Sequence, residues 1–409
     1  MKADIDRLMA ARDLAALLIP ISETYSPYLD YLVGRIHVTY GLALKKPGAD
    51  PLLVVSPMER EEAAASGLTI RTTADLNWAE LVSEANGDMS RAQAALWARA
   101  LGELDVSKGK VGIYGVGSLH GILATTRTLA ETQPQYLFCG ESGLTLFDEA
   151  AVTKDAAEIE RIRSVAARTN AVMAATWDFI ASHRADGDTV VNTDGTPLTI
   201  GDVRRFVRRH LLEHGLEDTG MIFAQGRDGG FPHSRGEDSM ALRQGQAIVF
   251  DLFPRELGGG YHHDMTRTWC IGYAPDEVQE AYNQVMEAFD IALETFGVDK
   301  PTHLAQEAVQ DYFESHGHPT LRSDPRTGEG YVHSLGHGIG LRIHERPNMS
   351  HQMKDDVFQR GNVITIEPGL YYPERGFGIR VEDALLVDDN GELETLTSFH
   401  KSLVLPLRG

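Results

Sequence analysis

Asp251 interrupts the apolar run Ala247 to Phe253, which otherwise reads as a buried strand. An ionised carboxylate placed there requires a cation or hydrogen-bond donors. A turn built on Pro254 and Gly258 to Gly260 leads into a second extended run, Tyr261 to Cys270, which carries Asp264. Folded back as a hairpin, the two runs set the acids side by side. The pattern returns near the C-terminus. Gly361 to Glu367 repeats the glycine, the apolar run and the acid of Gly245 to Asp251, and a second acidic strand follows with Glu382. Four carboxylates on two related hairpins repel one another unless cations lie between them, which is the donor set of a two-metal hydrolytic centre.

A nitrogen donor comes from Tyr331 to Pro347, where His333, His337 and His344 fall within twelve residues among glycines that allow close backbone approach. A single buried histidine is ordinarily a hydrogen-bonded core residue, but three between two acidic hairpins point to a site. Other candidates take a plainer reading. His262 and His263 adjoin Asp264, yet consecutive strand residues face opposite sides, and neither is expected to bind. His316 and His318 follow a helix end and are expected to be exposed. Gly115 to Gly121 lacks the third glycine and the following Lys-Ser/Thr of a phosphate loop, so no nucleotide site is expected.

The elements that must carry these residues divide at about residue 150. Residues 1–149 mix short strands (Leu14 to Ile19, Pro51 to Val55, Lys110 to Tyr114) with helices (Asn77 to Ala85, Ser90 to Leu101), an α/β domain in which Tyr25, Tyr28, Tyr31 and Trp78 serve packing. Its first twenty residues alternate charged and apolar positions as an amphipathic helix does, unlike a secretory leader. In residues 150–409, Asp155 opens a long helix to about Ser182. Helices follow over Ile200 to His214, Asp276 to Phe296 and Thr302 to His316, and a strand over Met221 to Gln225.

The 409 residues, 42% of them hydrophobic, suit a soluble two-domain protein. A net charge of -21 excludes the counterion-releasing basic surface that nucleic acid or anionic membrane requires. Two cysteines, far apart, give no disulfide framework, and no apolar run reaches the roughly 18 residues of a membrane span. A cytoplasmic location is expected.

The set Asp251, Asp264, His337, Glu367 and Glu382, within HHDMTRT, HSLGHGIG, TIEPGLYYP and IRVEDALLV, resembles the five-ligand signature of the pita-bread metallopeptidases: aminopeptidase P, prolidase and methionine aminopeptidase. The N-terminal domain is similar to the creatinase-type domain of the first two. The resemblance implies an α+β catalytic domain of pita-bread fold behind a smaller α/β domain, and a homodimer. It implies two divalent ions, manganese before cobalt, zinc or iron. Asp251 would hold one, His337 and Glu367 the other, with Asp264 and Glu382 bridging. Asp251 and Asp264 stand thirteen residues apart, longer than the family's usual spacing, and a larger turn at Arg255 to Gly259 absorbs the difference.

The same resemblance implies that Glu367 acts as general base, that His333 and His344 hydrogen-bond substrate and reaction intermediate, that His233 lines the proline side, and that Arg380 steadies a ligand on the substrate side of the site. The expected activity is hydrolysis of Xaa-Pro bonds at the N-terminus of small peptides with proline second. An Xaa-Pro dipeptidase (prolidase) is the alternative, followed by a metal-dependent non-peptidase such as dimethylsulfoniopropionate lyase, and last a non-catalytic binding module.

Overall fold

The computed structural model describes residues 4–409, which form two compact units, the first ending at Ala150 and the second running from Ala151 to Gly409. In the first unit a six-stranded mixed sheet is ordered Thr69–Thr72, Leu52–Val55, Gly41–Lys45, Leu14–Ile21, Gly109–Ile113, Tyr136–Cys139. Both of its faces are covered. Ala16, Leu18, Leu42 and Leu44 pack with Leu96, Trp97 and Leu101 on one side, while Leu17, Ile19, Ala43 and Leu53 pack with Ile5, Leu8, Met9 and Phe147 on the other. A strand buried on two faces has no polar side to alternate with, which is why these segments read as unbroken apolar runs. The amphipathic start is shorter than its sequence pattern: the helix Asp4–Ala11 ends before Asp13, whose positive φ of 55° turns the chain into Leu14–Ile21.

The second unit opens on the 26-residue helix Ala156–Ala181. Asp155 accepts hydrogen bonds from the amides of Ala157 and Glu158, and the Glu158 carboxylate in turn accepts one from the Asp155 amide, a reciprocal cap that fixes where the helix starts. Thr199 and Asp202 cap Ile200–Glu213 in the same way. Two sheets follow. One is ordered Ile222–Gln225, Ala247–Leu252, Met265–Ile271, Val404–Leu405; the other Glu345–Asn348, His337–Gly338, Val363–Ile366, Asp383–Val387, Leu393–Thr395. Among the described residues a single backbone bridge, between Thr266 and Glu382, joins them, with the Glu382 amide donating to the Thr266 carbonyl at 3.0 Å. The helices Asp276–Thr295 and His303–Ser315 pack against the second sheet through Val285, Phe289, Val309, Phe313, Ile364 and Leu385.

Three expectations are corrected here. The strand expected from Tyr261 starts only at Met265, because the His262 amide donates to Gly340 and the His263 amide to Pro254 instead of to the neighbouring strand. The second hairpin is two ladders: Val363–Ile366 pairs with Asp383–Val387, whereas Gly369–Tyr372 pairs with Phe377–Arg380. His318 is half-buried, held between Tyr372 Oη at 2.5 Å and Gln284 Oε1 at 2.8 Å, although His316 is exposed. Both cysteines are free, and among the described residues no helix is long and apolar enough to cross a membrane.

Candidate metal centre

Asp251 sits in Ala247–Leu252 opposite Thr266, so Asp264, two residues before Thr266, projects from the same face as Asp251. Glu382 arrives beside them through its bridge to Thr266, and Glu367 follows the end of Val363–Ile366. His337 comes from the short strand paired with Val363–Ile366 and Glu345–Asn348. All five line one cavity of about 320 Å³. Ligand atoms of Asp264, His337 and Glu382 lie within 4.8 Å of one another, and His337 Nε2 stands 3.4 Å from Glu367 Oε1.

The polar partners of these groups leave a consistent remainder. Arg380 Nη2 donates to Asp251 Oδ2 at 2.6 Å, and Thr266 Oγ1 donates to Glu382 Oε2 at 2.7 Å. The other oxygens, Asp251 Oδ1 and Glu382 Oε1, together with Asp264 Oδ1, are buried without a hydrogen-bond partner. Orphaned carboxylate oxygens in a protein interior are costly unless a cation meets them. Burial, then the neighbouring Glu382, Asp251 and Glu367, pushes Asp264 well above the usual carboxylate range. Burial and the same crowding raise Glu382 as well, and burial with Asp251 lifts Glu367 to about 8 against the pull of Arg380. The four acids face one buried guanidinium. Divalent cations fit this donor set, which is hard oxygen with one imidazole.

His337 is prepared as a nitrogen donor. Its Nδ1 lies 3.0 Å from the Gly338 carbonyl, which fixes the proton there and leaves the Nε2 lone pair facing Asp264 and Glu367. Burial, then His344 nearby, lowers it to about 3, so the ring is neutral at ordinary pH.

The remaining expected residues separate by environment. His344 lies exposed at the cavity, its ring 4.4 Å from that of His337, and His233 lies exposed on the same lining. His333 is different. Its Nδ1 meets the Ser334 carbonyl at 2.8 Å and its Nε2 meets Tyr371 Oη at 2.9 Å, so both nitrogens are engaged inside the protein. Tyr371 Oη in turn accepts from Arg380 Nη1 at 2.7 Å, and Arg380 Nε donates to Thr266 Oγ1 at 3.1 Å. Arg380, only 3% exposed, therefore grips Asp251 directly and Glu382 through Thr266. His262 and His263 are buried away from this cavity, beside the Gly340 carbonyl and Thr397 Oγ1. Sequence reasoning missed Tyr371 and Thr266. The hydroxyls beside the acidic motifs, in TRT and GLYY, were the available signal.

The model of metallopeptidase family M24 matches residues 160–389. The chain belongs to that family. Among curated relatives of this M24 chain, the Xaa-Pro dipeptidase of Pyrococcus furiosus is 36% identical over 186 residues, 45% of this chain and 48% of that protein. The probable dipeptidase PepE of Mycobacterium tuberculosis is 28% identical over 256 residues, 63% of this chain and 61% of the relative. The M24 chain thus spans about half to three fifths of the length of the curated relatives it matches. Among solved structures, the X-Pro aminopeptidase from Thermotoga maritima superposes with a TM-score of 0.76 at 22% identity, covering 98% of this chain and 99% of that one. The prolidase from Pyrococcus horikoshii gives 0.74 at 22% identity, covering 98% of both. At that identity the likeness carries the fold, which is the α+β pita-bread architecture.

Proposed function

We propose that the chain is an Xaa-Pro aminopeptidase, cleaving the bond between the first residue and a following proline in small peptides. The observation that carries this reading is the convergence of Asp264, His337 and Glu382, beside Asp251 and Glu367, in a cavity that also presents His233, His333 and His344. In this reading Asp251, Asp264, His337, Glu367 and Glu382 hold two divalent ions, manganese first among them. Bound there, the ions would acidify a water towards neutral pH and polarise the peptide carbonyl.

The chain's own residues do the rest. Glu367, on the lining beside the proposed ions, takes the proton of the attacking water and returns it to the leaving nitrogen. His344, exposed at the cavity, donates to the carbonyl oxygen as charge develops there. Burial, then the Arg380 charge, lowers His333 to about 3 and keeps it neutral. With both its nitrogens engaged by Ser334 and Tyr371, it offers substrate a ring face, which together with His233 suits a proline ring. An Xaa-Pro bond has no amide hydrogen at the proline, so a wall of rings replaces the hydrogen bond an ordinary peptidase would make. A strict Xaa-Pro dipeptidase is the second reading, favoured by the 36% identical Pyrococcus relative of that name.

Xaa-Pro dipeptides and Xaa-Pro-Xaa tripeptides, assayed with protein loaded with manganese, cobalt, zinc or iron, decide between the readings. Turnover of tripeptides supports the aminopeptidase, turnover of dipeptides alone supports the dipeptidase, and turnover of neither rejects both.

A further inference from the structure

Outside the carboxylate cluster, the second unit holds a fully buried ion pair that the reaction does not use: Lys154 Nζ lies 2.8 Å from Glu345 Oε2, with side chains 1% and 3% exposed. Buried pairs of this kind are poor stabilisers, since two desolvated charges are often replaced by apolar residues without loss, and in some proteins they serve instead to fix one geometry. Here the geometry is local to the histidine loop. The other oxygen, Glu345 Oε1, accepts the Arg342 amide at 3.0 Å and so closes a four-residue turn, Arg342 to Glu345, that contains His344. Gly340 leaves room for this carboxylate, because a Cβ at that position would stand 2.4 Å from Glu345 Oε2.

Lys154 and the segment just before it are anchored by three further hydrogen bonds. Lys154 Nζ also donates to the Ala151 carbonyl at 2.7 Å, its amide donates to the Gly361 carbonyl at 2.8 Å, and Asn362 Nδ2 donates to the Val152 carbonyl at 2.8 Å. Gly361 and Asn362 lead into the strand Val363–Ile366, which Glu367 follows. One lysine therefore ties the turn carrying His344 to the entry of the strand that leads to Glu367. We propose that Lys154 is a positioning residue: by locking the Glu345 carboxylate that closes the Arg342–Glu345 turn, it sets the place of His344 at the cavity. The functional part rests on the reading of His344 given above.

The test is Lys154→Met in the full, metal-loaded chain, with three readouts. Expected are a kcat lowered roughly 10–100-fold, the range for losing a partner that orients a site residue, unchanged metal content, and faster amide hydrogen exchange across residues 340–346. In a His344→Ala background the same substitution should cost nothing further, because its route of action is gone. An equal fractional loss in both backgrounds, a wild-type kcat, or unchanged exchange overturns the proposal. Should the lone Glu345 carboxylate prevent folding, Lys154→Met with Glu345→Gln removes both charges and keeps an acceptor for the Arg342 amide. That folded protein should still exchange faster and turn over more slowly, and wild-type values in it also overturn the proposal. Exchange is read without substrate, so a wild-type chain that cuts no Xaa-Pro peptide sinks the functional reading and leaves this one standing.

Discussion

The Arg380 guanidinium meets Asp251 Oδ2 at 2.6 Å while Asp251 Oδ1 is left buried and unpartnered. One oxygen is oriented by a fixed cation and the other is free to take a second one. The same division recurs at Glu382, where Thr266 holds Oε2 and leaves Oε1.

Substituting Arg380 with lysine keeps the charge and loses the planar fork that reaches Asp251, Tyr371 and Thr266 together. Metal affinity is expected to fall roughly 10–100-fold, as for other partners that orient a ligand. Titration of metal-stripped protein with manganese, read by calorimetry, checks this; an unchanged dissociation constant contradicts it.

His337→Ala and Glu382→Ala remove donor atoms themselves. Each is expected to retain less than the full complement of ion after dialysis and to lose more activity than the roughly 10–100-fold of the Arg380 variant. Metal analysis beside kcat/KM measures both effects in one preparation.

Stripping the ion leaves Asp251, Asp264, Glu367 and Glu382 crowded against a single guanidinium. An ion present at about 100 times its dissociation constant stabilises the folded chain by about 2.7 kcal/mol. Chelation should therefore lower Tm by several degrees, recovered on adding the metal back. Thermal unfolding that is indifferent to chelator would count against the centre.

Asp218 offers a pH dependence remote from the centre. Burial alone would raise its carboxyl, but the Met221 amide, Arg208 and the Gly220 amide outweigh it and hold the group below its usual range. A depressed folded pKa means the stability is fully present above the unfolded value, about 3.9, and is lost as pH falls through the lower folded value. Asp218→Asn should flatten that acid limb and lower stability at neutral pH by about 1.5–3 kcal/mol, the size of a hydrogen bond to a charged group. Urea unfolding at pH 3 and pH 7 compares the two proteins.

What the sequence made legible were features whose cause is local. The helix from Asp155 announced itself by the acid at the cap and Glu158 three residues later, and Asp251 stood out because its apolar neighbours gave it no reason to be there. The same pattern reading ran Tyr261 to Cys270 as one strand, because alternation says nothing about which backbone an amide will choose, and His262 and His263 chose Gly340 and Pro254. Residues that hold the site through distant partners stayed hidden. Tyr371 reaches His333 across 38 positions, Thr266 reaches Glu382 across 116 and Lys154 reaches Glu345 across 191, and no periodicity encodes such pairs.

The bridge from Glu382 to Thr266 places the seam of the second unit through its own cavity. Asp251 and Asp264 lie on one side of it, His337, Glu367 and Glu382 on the other. Neither half owns all five of the proposed donors, so the full set is completed only when the two halves close on each other. Retention of metal is thus expected to report that both halves have closed.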